Sequence, residues 1–169
     1  GVLSPQVVTE ILKISNEKGL FVSADSQSSS QIGNLGKFKN IDFVSATERE
    51  ARVELKDGTS GLVVVAERLR NQLETKFLLL KMGADGVLIS GQDETGKMIA
   101  TDEIGAINRN PVDTSGAGDS MLAGASLALA SGASIHEAAL IGSLLAAIQV
   151  GRLGNVPITQ ETISAFLQL

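Results

Sequence analysis

The alternation of strand-like and helix-like stretches constrains the fold of this chain more than any other feature of its sequence. Short runs of β-branched residues and leucine are separated by stretches in which apolar residues recur at helical spacing. This pattern is typical of a layered α/β domain with a largely parallel sheet. We therefore expect residues 1–169 to form one α/β domain, since no linker or repeat divides them. Strands are predicted at 20–25, 41–46, 77–82, 86–90, 97–101 and 104–108, the last three with antiparallel pairs.

Capping residues indicate where the predicted helices begin and end. Thr47 with Glu50, and Ser134 with Glu137, have the spacing of capping boxes, in which each side chain bonds the other residue's backbone. Gly19 is a typical residue to end the first helix. Helices are predicted to begin near residues 4, 47, 59, 116, 134 and 159.

The composition argues against several classes of partner. A net charge of -5 and an isoelectric point near 4.9 disfavour binding to nucleic acid or to an anionic membrane. The apolar run from Met121 to Ala130 is too short to span a bilayer. The chain has no cysteine, which fits a reducing compartment. We therefore expect a cytoplasmic protein that binds small molecules.

One glycine-rich stretch, "NPVDTSGAGDSMLAG" at residues 110–124, combines small residues with acids just before a predicted helix. Backbone N–H groups at a helix start form an anion site, and Gly116, Ala117 and Gly118 let a phosphate approach them closely. Asp119 lies in the first helical turn, where its charge would repel that anion unless it has a function. Accepting a proton from a hydroxyl that attacks a bound phosphoryl group is such a function. The alternative is an ordinary helix start, in which Asp119 interacts favourably with the helix dipole.

The run "DTSGAGDS", residues 113–120, resembles the signature of the ribokinase family of carbohydrate kinases, also called the phosphofructokinase-B type. The resemblance implies a three-layer α/β/α fold and phosphoryl transfer from ATP, with Mg²⁺, to a sugar or sugar-phosphate hydroxyl. It implies that Asp119 is the catalytic base and that residues 116–118 form the anion hole. It also implies that Asp113 and Thr114 lie beside the nucleotide and a monovalent cation such as K⁺.

Other segments extend this resemblance along the chain. "KMGADGV" looks like the family's glycine motif on the nucleotide side, with Gly83 and Gly86 in register. Lys81, at the end of a predicted strand, is a candidate to neutralise phosphate, although a solvated lysine is equally consistent with the sequence. Ser143 stands where heptose kinases often place an asparagine near the adenine. Its alternative role is that of a small residue between packed helices.

Two departures from the family pattern concern acidic residues. Glu50 matches the glutamate of the Asn-x-x-Glu motif, which implies a role in organising magnesium through water, but the asparagine is absent. The capping box with Thr47 explains Glu50 equally well. In the heptose branch Asp25 would be followed by Pro-Lys-Gly, whereas this chain has residues 26–28 as Ser-Gln-Ser. This difference leaves Asp25 with no predicted role except to end a strand.

The tail "AAIQVGRLGNVPIT" is similar to the end of heptose-phosphate kinases, with Arg152 in place of a lysine. The resemblance covers only the C-terminal half of a family member. A sheet cut in this way would expose a strand edge, so we expect self-association or pairing with an N-terminal half.

Two other functions remain as alternatives. The chain could be a nucleotide-binding module that has no catalytic activity alone. An NAD-binding module is far less consistent with the sequence, because Met121 stands where the dinucleotide fingerprint needs its third glycine.

Overall fold

The computed structural model describes residues 3–25, 34–92, 95–99 and 102–168. Its helices are α1 Pro5–Lys18, α2 Glu48–Leu55, α3 Leu62–Leu73, α4 Ala117–Ala130, α5 Ile135–Val150 and α6 Gln160–Leu167. Its strands are β1 Ser23–Asp25, β2 Phe43–Thr47, β3 Phe77–Lys81, β4 Val87–Gln92, β5 Met98–Ile99 and β6 Glu103–Ile104. Short 3₁₀ helices cover Leu35–Lys37 and Gly83–Asp85. None of the helices described is long and apolar enough to cross a membrane.

The strands form one mixed sheet in the order β1-β2-β3-β4-β5, with β6 also paired to β4. The strands β1, β2 and β3 are parallel, whereas β4 runs antiparallel to β3, β5 and β6. The carboxyl ends of the three parallel strands therefore meet at one edge of the sheet. Asp25, Thr47 and Lys81 are the last residues of these strands.

Helices cover both faces of the sheet, as the three-layer α/β/α prediction requires. Alternate strand residues face opposite sides, so that Val44 and Leu78 pack with α2 and α3, whereas Phe43 and Leu79 pack with α4 and α5. These four side chains are fully buried. Both faces of the central strands are thus apolar, which explains why their sequences are continuous hydrophobic runs.

The predicted caps are confirmed. Both capping boxes form, since Thr47 and Ser134 accept bonds from the backbone of Glu50 and Glu137, whose side chains bond back. Gly19 ends α1 in the left-handed conformation, with φ of 61°. These helix limits depend on bonds between residues close in sequence, which is why a local pattern predicts them.

The observed strands differ from the predicted ones by a few residues at their ends, and the differences are clearest at the start of β1 and the end of β6. β1 begins at Ser23, later than predicted, because the backbone N–H of Val22 bonds the Asp42 carboxylate at 2.9 Å. β6 contains only the first residue of the predicted strand 104–108, since the chain then crosses closely over Gly86. Most of the predicted loop 26–36 and the end of the predicted strand 97–101 lie outside the described residues.

Candidate active site

A cavity of about 440 Å³ opens between the end of β3, the glycine-rich segment after it, and the first turn of α4. Such a volume suits a small-molecule ligand. The carboxyl edge of the sheet is also where α/β folds bind their ligands. Among its lining residues are most of those predicted from the sequence: Lys81, Gly83, Gly86, Thr114, Ala117, Gly118 and Ser143.

The first turn of α4 has backbone donors that no side chain caps. Gly116 precedes the helix with φ of 75°, in the left-handed conformation, and makes no side-chain cap bond. This backbone conformation favours glycine, whereas the Asn155 Oδ1 atom, which lies 2.5 Å from a Cβ placed on Gly116, belongs to an exposed side chain that can move. By contrast, the hydroxyl of Ser134 caps α5. The uncapped N-terminus of α4 at the cavity is therefore suited to an anion.

Asp119 lies in the first turn of α4, directly after the cavity residue Gly118. Its side chain is exposed, and within the described part of the chain it makes no hydrogen bond or ion pair. A carboxylate that is free of other bonds can accept a proton from a hydroxyl placed beside it. The sequence-based assignment of Asp119 as a base is chemically consistent with this position.

Lys81 forms an ion pair with Asp25, in which Lys81 Nζ lies 2.8 Å from Asp25 Oδ2. The two side chains are only 13% and 16% exposed, so the alternative of a solvated lysine is wrong. The pair lies beneath the first turn of α4, since a Cβ on Gly118 would lie 3.3 Å from Lys81 Nζ. Sequence reasoning missed Asp25 because its partner is 56 residues away, and no local pattern indicates that contact.

The two glycines of the nucleotide-side motif, Gly83 and Gly86, are required for different structural reasons. Gly83 has φ of 64°, and a Cβ there would have no neighbour within 4 Å. Gly86 has φ of 98°, and a Cβ there would overlap the carbonyl oxygen of Ile104 and lie 2.7 Å from the Ala106 nitrogen. Gly86 therefore allows the segment after β6 to cross the turn and form one wall of the cavity.

Ser143 lies on α5 and is 7% exposed. Its hydroxyl has no hydrogen-bond partner in the described part of the chain, although the residue lines the cavity. A buried hydroxyl without a partner is rare and costs free energy unless a ligand or water bonds it. The neighbouring Gly142 packs against Met121 of α4, so small residues also bring these helices together.

Asp113 bonds the protein backbone and does not line the cavity. Its Oδ1 accepts a bond from the Ser115 N–H and its Oδ2 accepts one from the Gly154 N–H, each at 2.9 Å. These two backbone donors, Ser115 first and then Gly154, hold the pKa of the Asp113 carboxyl below its ordinary value. The carboxylate thus joins the segment before α4 to the loop after α5.

The sequence analysis did not identify Gln149, which is only 1% exposed and bonds the same two residues as Asp113 does, namely Ser115 and Gly154. Its Nε2 atom donates to the carbonyl oxygens of Ser115 and Gly154. Its Oε1 atom accepts a bond from Arg152. A buried glutamine near the end of an apolar helix is the only signal in the sequence that could have indicated this role.

Glu50 is buried, and its Oε2 accepts a bond from the Thr47 N–H at 2.7 Å. Among the residues that the structure describes, no three His, Cys, Asp or Glu side chains lie together as a metal site. Kinases bind Mg²⁺ through one or two carboxylates together with the phosphates of the nucleotide. Glu50 does not line the cavity itself but bonds the cavity residue Thr47, so its role toward magnesium stays a prediction.

The comparisons with known proteins agree on one family. The profile described as pfkB family carbohydrate kinase matches residues 2–162. The bifunctional protein HldE of Methylobacillus flagellatus is 28% identical over 172 residues, which cover 99% of this chain and 33% of that protein. The bifunctional protein HldE of Geotalea uraniireducens is 29% identical, over 98% of this chain and 32% of that protein. The chain thus spans about a third of the length of these curated relatives.

Solved structures show the same fold. Ribokinase from Thermotoga maritima has a TM-score of 0.73 and 26% identity, over 94% of this chain and 52% of that chain. Arabidopsis thaliana ribokinase complexed with ribose and ATP has a TM-score of 0.78 at 20% identity, over 98% and 53% of the two chains. Phosphofructokinase-2 from Escherichia coli in complex with potassium has a TM-score of 0.77 at 18% identity, over 98% and 52%.

These matches confirm the ribokinase-like fold predicted from "DTSGAGDS" and show that the resemblance extends through almost all of the chain. The chain spans about half the length of the similar structures. The chain belongs to the pfkB family of carbohydrate kinases.

Proposed function

We propose that this chain is the nucleotide-binding and proton-accepting part of an ATP-dependent sugar kinase. The observation that carries the proposal is the cavity in which Lys81, the two glycines at 83 and 86, and the first turn of α4 come together. Cationic and backbone N–H donors converge there on one space of ligand size. This is the arrangement that a nucleotide phosphate chain requires.

Each residue has a distinct role in the proposed reaction. The N–H groups of the first α4 turn and the Lys81 ammonium stabilise the negative charge that develops on the transferred phosphoryl group. Asp119 accepts the proton of the attacking sugar hydroxyl. Glu50, through Thr47 at the cavity wall, is the carboxylate proposed to orient magnesium. When bound with ATP, magnesium neutralises charge on the phosphates.

The proposed acceptor is a sugar phosphate of the heptose class. The similarity of the tail around Arg152 to heptose-phosphate kinases supports this choice, and so do the matches to HldE proteins. The Ser-Gln-Ser run at 26–28 differs from that branch. A panel of acceptors tested with the intact protein decides the point, and a clear preference for ribose, fructose or a nucleoside would refute the heptose assignment.

The proposed partner is a second, sugar-binding half that extends the sheet beyond β1. Among the described strands β1 pairs only with β2, so its other edge has no strand partner. The preceding helix α1 exposes Val7, Ile11 and Ile14, which are 41%, 45% and 42% exposed. A strand edge without a partner among the described strands, and exposed apolar side chains on the preceding helix, favour pairing with another chain segment. Sedimentation of Ile11→Glu, compared with Leu167→Glu on α6, tests whether this surface mediates association.

Nucleotide binding and phosphoryl transfer need separate experiments. Calorimetry should show that the chain binds ATP with magnesium more tightly than NAD, and binding should perturb the amide resonances of Gly83 and Gly116. A preference for NAD, or unperturbed resonances, would contradict the proposed cavity. ATP binding without transfer to any sugar by the intact protein would favour a nucleotide-binding module that lacks catalysis.

A further inference from the structure

Three acceptor groups around the segment before α4 are already bonded by N–H groups: the Ser115 and Gly154 carbonyls and the Asp113 carboxylate. The family resemblance implies a monovalent cation beside Asp113, and one structure of similar fold is a complex with potassium. Proteins bind K⁺ through rings of oxygen atoms, mainly backbone carbonyls, that replace its hydration shell. The fit of such an ion here therefore depends on what these oxygen atoms bind.

The side-chain amide of Gln149 lies between two of those carbonyls. Its Nε2 donates to Ser115 O at 3.2 Å and to Gly154 O at 2.8 Å, which uses both of its hydrogens. The residue is 1% exposed, so water does not compete for these bonds. The amide thus links the two chain segments that carry Ser115 and Gly154. An ion bound to the same two oxygens would link them in the same way.

Arg152 fixes the direction in which this amide points. Its Nη2 donates to Gln149 Oε1 at 3.2 Å and to Val156 O at 2.8 Å. A guanidinium can only donate hydrogen bonds, so the glutamine atom that faces it must be the oxygen. If the amide were reversed, N–H groups would face the guanidinium, and the amide oxygen would face the two carbonyls. The orientation follows from the network.

The carboxylate oxygens of Asp113 are also already bonded by N–H groups of the chain. Its two oxygens accept bonds from the backbone N–H groups of Ser115 and Gly154, each at 2.9 Å. A cation shared by Ser115 O and Gly154 O would have to take the position of Gln149 Nε2. The residues present therefore do not fit a monovalent cation at this place.

We propose that the Gln149 amide replaces the monovalent cation and that this chain is independent of K⁺. Gln149 acts as a positioning residue, because it ties Ser115, directly before the Gly116 turn, to the loop that carries Gly154. The loop in turn places Asn155 against Gly116. The kinetic part of this inference rests on the proposed kinase function, whereas the replacement of the ion does not.

Thermal unfolding tests the replacement without any assay of activity. The unfolding midpoint of the unmodified chain should agree within about 1 °C in potassium chloride and in tetramethylammonium chloride of equal ionic strength. Gln149→Ala should have a lower midpoint in tetramethylammonium, and K⁺ should raise it by several degrees, because the ion then bonds the carbonyls left without a donor. Gln149→Met, which fills the space without a donor, should be destabilised and not restored by K⁺.

Gln72→Ala is the matched control, since Gln72 also donates through Nε2, to Glu54, but on the surface. It should show no response to K⁺. A midpoint of the unmodified chain that rises by several degrees in K⁺ would overturn the inference, as would a Gln149→Ala chain that K⁺ does not stabilise. If Gln149→Ala does not fold in either salt, the response of the unmodified chain decides.

Turnover by the intact protein gives an independent result. Its kcat should be the same in the two salts to within about twofold. A strong requirement for K⁺ would refute the inference and leave the kinase function intact. Failure to phosphorylate any sugar would refute the proposed function, and the unfolding experiment would still decide the role of Gln149.

Discussion

Lys81 Nζ and Asp25 Oδ2 lie 2.8 Å apart and join the ends of β3 and β1 across the intervening strand β2. The pair lies under the first turn of α4, because Gly118 leaves room for it. Asp25 therefore keeps the Lys81 ammonium at the cavity wall and prevents the flexible side chain from turning to solvent. A strand end that appeared to have no role in the sequence is thus part of the candidate site.

Lys81→Met should weaken binding of ATP by about 10- to 100-fold, because a hydrogen bond to a charged group contributes about 1.5–3 kcal/mol. Loss of the lysine also removes its ion pair with the largely buried Asp25 carboxylate, which should lower the free energy of unfolding by about 3 kcal/mol. The double variant Asp25→Asn, Lys81→Met should recover much of this stability but not the ATP affinity. Calorimetry with ATP and denaturant unfolding measure the two effects.

Lys76→Met is the control for this experiment. Lys76 pairs with Asp42 at 2.9 Å and precedes the same strand at its opposite end, with its side chain 72% exposed. An exposed pair contributes little to stability, and ATP binding should not change. If Lys76→Met and Lys81→Met weaken ATP binding equally, the placement of the phosphate at Lys81 is wrong.

Gly86→Ala should destabilise the protein by about 3 kcal/mol or more, because a Cβ would overlap the backbone of the segment that starts at Ile104. Gly83→Ala should cost only about 1–2 kcal/mol, since its φ of 64° is unfavourable but its surroundings are open. Urea unfolding of both variants measures the difference. Equal losses would mean that the chain does not cross Gly86 closely in solution.

Asp119→Asn in the intact protein should lower kcat by about 10²- to 10⁴-fold, because the general base is lost. The fold and the ATP affinity should be retained, since asparagine is tolerated in a first helical turn. Glu161→Gln, which changes the first-turn acid of α6, should leave turnover unchanged. A turnover of Asp119→Asn within a few-fold of the unmodified protein would show that Asp119 only favours the helix start.

Asp113 should make stability depend on pH in the acid range. Backbone N–H groups of Ser115 and Gly154 lower its pKa in the folded state, so its contribution is complete above the ordinary value of 3.8 and is lost as pH falls below it. Asp113→Asn should therefore unfold at a lower temperature than the unmodified chain at neutral pH. The difference between the two unfolding temperatures should become smaller in acid. Thermal unfolding of both proteins across this range measures it, and a constant difference would contradict the prediction.

The sequence determined the elements whose stability is local. Capping boxes at Thr47 and Ser134, the end of α1 at Gly19 and the buried run of β3 depend on near neighbours or on burial, and their patterns predicted them. The Gly116 turn before α4 is likewise encoded in consecutive residues. Because the turn and the start of α4 are encoded within residues 113–120, the motif "DTSGAGDS" indicated both the family and the candidate anion site.

Only the tertiary structure decided which distant groups meet. The pairing of Asp25 with Lys81, the crossing of Gly86 by the segment after β6, and the bond from Gln149 to Ser115 each join residues that lie far apart in the sequence. Such contacts depend on strand order and helix packing, because long-range burial determines which polar groups must find partners. No spacing within the sequence contains that information.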